Sequence, residues 1–311
     1  MARSSPLSSP ALPRGSRGVT TRRVSLSLYG YAFIAPFFIV FAIFQLYPIL
    51  FSLYLSFTRW DGFSAPQWLG LANYRRLVSD DLFYTSVSNT FLIWIMSIVP
   101  ELLLALALAL ILHEKFIKGK HVFRAVFYFP NIVTPVTIGV LFSLLFDWQT
   151  GAVNRLLAAL HVVNAPVNWL GEPFLSQVLV AAVMAWQWFG YNMLLYTAGL
   201  QAIPDEVTEA ARVDGATGVQ VAARITIPLL APVILFTVVT SIIGGMQIFD
   251  VPLTLTRQGP NNATLTVVMY LYNTAFKQSD YSYGATLAYA TFALIAVLSL
   301  ATFMLSRTRR A

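Results

Sequence analysis

Six polar side chains fall inside or at the end of long apolar runs in this 311-residue chain: Gln45, Glu101, Gln187, Asn192, Gln247 and Asp250. Amides and carboxylates in such places are costly, and they do one of two things. They hydrogen-bond one helix to another, worth about 0.6 kcal/mol each on average in membranes, or they line a hydrophilic passage. Glu101, next to Pro100, is the sharper case, because a carboxylate there must be paired, protonated or near water. Both readings stay open: a structural partner or a group on a pathway. Bond-making chemistry has little to work with. There is no cysteine, and His113, His121 and His161 are scattered without zinc or haem spacing,. No paired carboxylates stand ready for acid–base work. A phosphate-cradling loop needs G-x-x-x-x-G-K-[ST]. The only Gly-Lys pair is Gly119-Lys120, with Glu114 at the first glycine position and His121 at the hydroxyl position.

The elements that position these side chains follow from composition. The chain is 57% hydrophobic and 11% charged, whereas an average soluble domain carries about 25% charged residues. Runs of about 18 or more apolar residues read as membrane-crossing helices. Six occur, near 29–56, 88–112, 123–146, 177–200, 229–249 and 285–306. None has the alternation of a barrel strand. The fold class is therefore all-α and polytopic, with six transmembrane helices in one membrane domain over 29–306. Pro130, Pro135, Pro228 and Pro232 are expected to kink or start helices. Residues 1–28, rich in Ser, Pro and Arg, read as a disordered basic N-terminus, and 307–311 as a basic tail,. The apolar run that follows residue 28 is too long for a signal-peptide core and reads as a retained first helix.

The net charge of +7 raises nucleic acid as a partner, but its placement argues against that. Fourteen of the twenty Lys and Arg residues fall in 1–28, 113–124, the stretch around 204–228, and the tail; six fall in the alternate loops. Positive charge stays on the cytoplasmic face, so both termini and the 204–228 insert are expected to be cytoplasmic. The lipid bilayer is the expected surroundings.

The insert reads LQAIPDEVTEAARVDGATGVQVAARITIPLLAP. Pro204 suits a first helical position, and Asp205 and Glu206 suit the first turn, where the helix dipole favours acids. Val207, Ala210, Ala211 and Asp214 recur at i, i+3, i+4 and i+7, which makes a mostly small, flat face. Gly215 supplies a left-handed terminator. Thr217 and Gln220 have capping-box spacing and open a second short helix expected to run to about Ile227, with Pro228 starting the next span. The result is a compact helix–turn–helix with a small-residue ridge.

That stretch resembles the EAA motif of ABC-importer membrane subunits. Glu209-Ala210-Ala211, Asp214-Gly215-Ala216 and Ile225-Thr226-Ile227-Pro228 match it, while Ala222-Ala223-Arg224 replaces the usual aromatic. Trp186, Gly190, the LQAIP run, Phe249-Asp250, Thr256, Gly259-Pro260 and Thr264 resemble the carbohydrate-uptake (maltose/glycerol-3-phosphate type) branch, with Arg257 and Gln258 at two typical glycines. Lys118-Gly119-Lys120 and the run Arg124 to Pro130 match the same branch. The likeness covers roughly residues 25–306.

The resemblance implies a permease subunit of an ATP-driven importer in a bacterial or archaeal cytoplasmic (inner) membrane. It implies a second homologous permease, an ABC ATPase dimer that receives the EAA helix, and an extracytoplasmic solute-binding protein. Glu209, Ala210, Ala211, Asp214 and Gly215 would then be ATPase-coupling residues. No cofactor is expected in this chain, no metal, and no catalytic residue; ATP and Mg are used by the partner ATPase. Relatives draw solute contacts from the fourth and fifth spans, which implies Tyr191, Ser241, Gly245 and Gln247, with Asn192 added on polarity. The solute is expected to be a carbohydrate or related polyol. The alternative is an ion-coupled secondary transporter using Glu101, against which stand the single EAA insert and the lack of an inverted repeat.

Overall fold

A computed structural model of the chain describes residues 22–114 and 116–308, with side chains placed for 30–114 and 116–306. Most of the segment expected to be disordered, residues 1–21, and the end of the basic tail, 309–311, lie outside the described residues. The chain divides into two units, Met1–Ser52 and Leu53–Ala311.

In the first unit, α1 (Arg22–Phe41) passes through a π-helical turn, Ala42–Leu46, into α2 (Tyr47–Ser56). The first described residues, from Arg22, are thus already helical, inside the stretch expected to lack structure. The π turn has a local cause. Pro48 would push its ring against a carbonyl one turn back, and the wider turn relieves that; the N–H of Tyr47 donates to the Ala42 carbonyl instead. Gln45 lies in that turn.

The second unit starts at Leu53, within α2, and continues with two two-residue strands, β1 (Thr58–Arg59) and β2 (Gln67–Trp68), paired antiparallel, then α3 (Ala72–Val78). Next come α4 (Asp81–His113), α5 (Lys120–Ile132), α6 (Pro135–Leu145), α7 (Ala152–Ala159) and α8 (Pro173–Gln201). The insert holds α9 (Asp205–Val213) and α10 (Gly218–Val221), followed by α11 (Ile227–Gly245). The chain closes with α12 (Asp250–Leu255), α13 (Val267–Tyr272) and α14 (Tyr281–Thr308).

Among the described residues, five helical stretches are long and apolar enough to cross a membrane: Gly30–Ser56, Asp81–His113, Pro173–Gln201, Gly218–Gly245 and Tyr281–Ser306. The pair α5 and α6 makes a sixth if taken as one span, but it is bent by 90°. The run over 123–146 is thus broken at Pro135, one of the prolines expected to kink or start a helix, whereas Pro130 stays inside α5. Pro135 disfavours the helical conformation at the residue before it. Thr134 is extended instead, with φ −62° and ψ 139°, and its side chain caps α6 by accepting the N–H of Thr137.

A correction concerns the insert. Its second helix is not a separate piece ending near Ile227, because α10 runs through a π turn, Ala222–Thr226, straight into α11. Pro228 is absorbed as Pro48 is: the N–H of Ile227 reaches back to the Ala222 carbonyl. The insert's second half is thus continuous with a span.

The main packing is α4 against α8. Ala105 and Ala109, one turn apart on α4, are fully buried beside Met193, Tyr196 and Leu200 of α8 and Leu230 of α11. Small residues at such a seam let backbones approach, which is how helices associate where water gives no driving force. At the other end of α4, Asp80 caps the helix by accepting the N–H groups of Leu82 and Phe83. The phenols of Tyr270 and Tyr283 also donate to Asp80 Oδ2. The Arg76 guanidinium lies 3.7 Å from the centre of the Tyr283 ring and pairs with Asp280 at 2.7 Å.

Candidate functional site

Three helices each present one polar stripe at helical spacing, and the stripes converge. From α4 come Trp94, Ser97 and Glu101; from α8 come Gln187, Trp188, Tyr191 and Asn192; from α11 come Thr237, Thr240, Ser241, Gly244 and Gly245. They enclose a cavity of about 320 Å³. Pro135, at the break between α5 and α6, Met184 of α8, and Gln247 to Val251, leading into α12, also line it. Side chains three, four, seven and eight residues apart share a helix face, so each stripe is a local consequence of sequence.

The cavity's polar groups hold one another. Asn192 Nδ2 donates to Glu101 Oε1 at 2.5 Å, and the Ser97 hydroxyl also bonds that carboxyl. Glu101 is only 6% exposed. Trp94 Nε1 donates to Ser241 Oγ at 3.3 Å, linking α4 to α11. The Gln187 amide donates to the Val133 carbonyl at 3.5 Å, a backbone acceptor freed where the helix breaks. Tyr191 meets the edge of Trp188, ring centres 5.9 Å apart. Amide and hydroxyl groups beside aromatic faces can hydrogen-bond and stack on a hydroxylated ring.

All five residues singled out as pathway candidates, Tyr191, Asn192, Ser241, Gly245 and Gln247, line this one cavity. Gly245 does so for a packing reason: a Cβ there would lie 1.9 Å from Trp94 Cδ1, so the bare backbone lets the indole reach α11. Glu101 joins the same cavity with a partner already in place. Trp94, Trp188, Thr237 and Thr240 escaped the sequence reading. The signal was present in their spacing: Thr237, Thr240, Ser241, Gly244 and Gly245 form one i, i+3, i+4, i+7, i+8 row.

The coupling candidates lie elsewhere, on the insert. Glu209, Ala210, Ala211, Asp214 and Gly215 all belong to α9 or its turn, and no residue of α9 is buried. Gly215 has φ +84°, the left-handed conformation that ends the helix. The N–H of Gly215 donates to the Arg212 carbonyl and that of Ala216 to the Ala211 carbonyl. Thr217 and Gln220 form the full capping box. Arg212 reaches Glu114, at the end of α4, at 3.5 Å. His113, Asp205 and Glu209 line a small cavity of about 100 Å³ with that pair. Among the described residues no group of His, Cys, Asp and Glu could hold a metal ion.

The family profile described as "Binding-protein-dependent transport system inner membrane component" matches residues 15–310. The lactose transport system permease protein LacF of Rhizobium radiobacter is 37% identical over 298 residues, 94% of this chain and 99% of that protein. The arabinooligosaccharides transport system permease protein AraP of Bacillus subtilis is 33% identical, over 89% of this chain and 88% of that one. The trehalose/maltose transport system permease protein MalF of Thermococcus litoralis is 32% identical, over 90% and 94%. Among solved structures, a bacterial ABC transporter involved in the import of the acidic polysaccharide alginate superposes with a TM-score of 0.81 at 22% identity, over 92% of this chain and 98% of that chain. The same kind of transporter in complex with an alginate pentasaccharide-bound periplasmic protein gives 0.82 at 21%, over 93% and 97%. At that identity the structural likeness speaks for the fold.

Proposed function

This chain belongs to the family of binding-protein-dependent transport system inner membrane components, as a sugar-type ABC-importer permease, and on that premise we propose how it works. It forms a translocation pathway for a carbohydrate or related polyol together with a second homologous permease. An ABC ATPase dimer grips α9 and its turn, so that Glu209, Ala210, Ala211, Asp214 and Gly215 couple ATP-driven closure to the spans. ATP and Mg act in that partner, and this chain needs no cofactor and performs no bond-making step. An extracytoplasmic solute-binding protein delivers the solute, and both termini and the insert face the cytoplasm.

The observation that carries the solute reading is the cavity itself. Its wall combines amides, hydroxyls and indole and phenol faces, drawn from three spans, in the arrangement a hydroxylated ring would use. Support for coupling comes from the exposed face of α9 and from α10 running unbroken into α11, one of the cavity's three helices.

The test is purification of the tagged chain in mild detergent with mass spectrometry of what accompanies it, followed by uptake in liposomes. A second permease and a P-loop ATPase are expected to co-purify, and uptake is expected to stop with vanadate. A chain that transports alone, resists vanadate and fails with a protonophore would replace this reading by the ion-coupled one centred on Glu101.

A further inference from the structure

Five aromatic side chains form a row of neighbouring rings that starts on the cavity wall and ends on the hairpin between β1 and β2. Phe249, which lines the cavity, meets Tyr272 at the end of α13 with ring centres 5.2 Å apart. Tyr272 meets Phe276 at 5.5 Å, Phe276 meets Tyr281 at 6.4 Å, and Tyr281 meets Trp60 at 5.7 Å. Successive rings are inclined to each other by 36° to 86°, so none lies flat over the next. Phe276 is 64% exposed and Tyr272 36%, while Phe249, Tyr281 and Trp60 are half-buried. The outer end is held in place. Trp60 Nε1 donates to the Ser64 carbonyl at 2.7 Å, and the hairpin backbone packs so closely on Tyr281 that a Cβ at Gly62 would lie 2.9 Å from the ring. Aromatic residues that anchor a protein in a bilayer surface do so one by one. Here the rings adjoin in series, and the stretch that carries three of them also holds the polar residues Asn273, Lys277 and Gln278. The Lys277 ammonium lies 5.8 Å from the centre of the Tyr272 ring.

We propose that this row is a stacking track for saccharides, a subsite outside the cavity along which solute passes between the hairpin and Phe249. The inference rests on the reading of the cavity as the solute path, and it adds a second site to that reading. The carbon-bound hydrogens on one side of a sugar ring are weakly positive and settle on the negative face of an aromatic ring. Amide and ammonium groups beside the rings then take the hydroxyls. Each ring holds a sugar loosely, and the next ring lies one step away, so the solute moves from face to face toward the cavity. A chain of sugars covers several rings at once and gains from each, because every contact after the first is intramolecular.

The experiment uses the whole transporter purified with its accompanying subunits, in nanodiscs. The probes are lactose, maltose and maltotetraose, and binding is read by saturation-transfer NMR with the protein's aromatic protons irradiated. Tyr272→Leu combined with Phe276→Leu removes two rings and keeps apolar bulk. That pair is expected to weaken maltotetraose binding about tenfold and the disaccharides less. Tyr272→Phe combined with Phe276→Tyr keeps both rings and is expected to bind as wild type does. In ATP-driven uptake the leucine pair is expected to raise KM about tenfold with kcat unchanged, since the track acts before the cavity is reached. Binding and KM that the leucine pair leaves unmoved overturn the track. A loss that the ring-keeping pair shares overturns it too, because the positions then matter for shape alone. In either case Ser241→Ala, inside the cavity, tells the two readings apart: if it weakens binding of the same probes, the cavity reading stands without the track. If no probe binds wild type, the cavity reading falls, and the track with it.

Discussion

At the scale of single residues, the informative contact is Asn192 on Glu101. A buried polar group is tolerable when it is bonded and expensive when its partner is deleted. Asn192→Ala leaves the Glu101 carboxyl with the Ser97 hydroxyl alone, and it should cost the assembled transporter about 1–3 kcal/mol. A second change, Glu101→Leu, removes the orphaned group and should recover most of that loss, so the double-mutant cycle carries the answer. Thermal melting of the four variants in nanodiscs checks it; additive losses would mean that the two side chains do not support each other. Polarity alone singled out both residues in the sequence. That they meet depends on the rotation of α4 and α8 about their axes, which their alanine seam and the Gly245–Trp94 contact decide.

Two elements carry predictions of their own. The first is the turn after α9. Gly215→Pro cannot adopt φ +84° and removes the N–H that donates to the Arg212 carbonyl, because proline fixes φ near −65°. Uptake should fall at least about tenfold while membrane insertion and the spans' melting temperature persist, since α9 buries no residue,. Normal uptake would argue against coupling through this turn. The second is the start of α4. Burial pushes the Asp80 carboxyl up, but the hydroxyls of Tyr270 and Tyr283 and the N–H groups of Phe83 and Leu82 outweigh it and hold it below the ordinary 3.8. Burial and the same Asp80 contact push the Tyr270 phenol up to about 12, so it remains a donor at every working pH. A group with a lowered folded value stabilises fully above its unfolded value and loses that contribution as pH falls through the folded one. The tie between α4, α13 and α14 should therefore be constant from about pH 5 to 8 and weaken below about pH 4, by no more than about 1 kcal/mol after solvent screening. Melting curves across that range should show the acid limb, and Asp80→Asn should flatten it.

For the whole molecule, the division of labour is the main consequence. This chain is a multi-pass inner-membrane permease; in the proposed assembly the energy comes from another polypeptide and the selecting surface is shared. Vanadate sensitivity of uptake, and loss of that uptake when the ATPase is omitted from reconstitution, are the expected outcomes at this scale. Uptake that persists without the ATPase would place the driving force in this chain.

Local rules made much of this legible from sequence. Apolar run length set the number of spans, because backbone polar groups in lipid must be satisfied within a helix. Gly215, Thr217 and Gln220 set the turn of the insert, because caps act over three or four residues. What only the tertiary structure decided depends on neighbours far away in the chain. The 90° break before Pro135 had a visible proline, yet a kink, a break and a helix start look alike in sequence until surrounding helices choose one. The continuity of α10 with α11 turned on a π turn at Pro228: the proline is visible in sequence, but whether it starts a new helix or is absorbed into a continuous one is not. The joining of Trp94, Glu101, Gln187, Asn192 and Ser241 into one cavity required three helices to be rotated toward a common axis. Helix periodicity fixes which residues share a face, and packing alone decides which way the face looks.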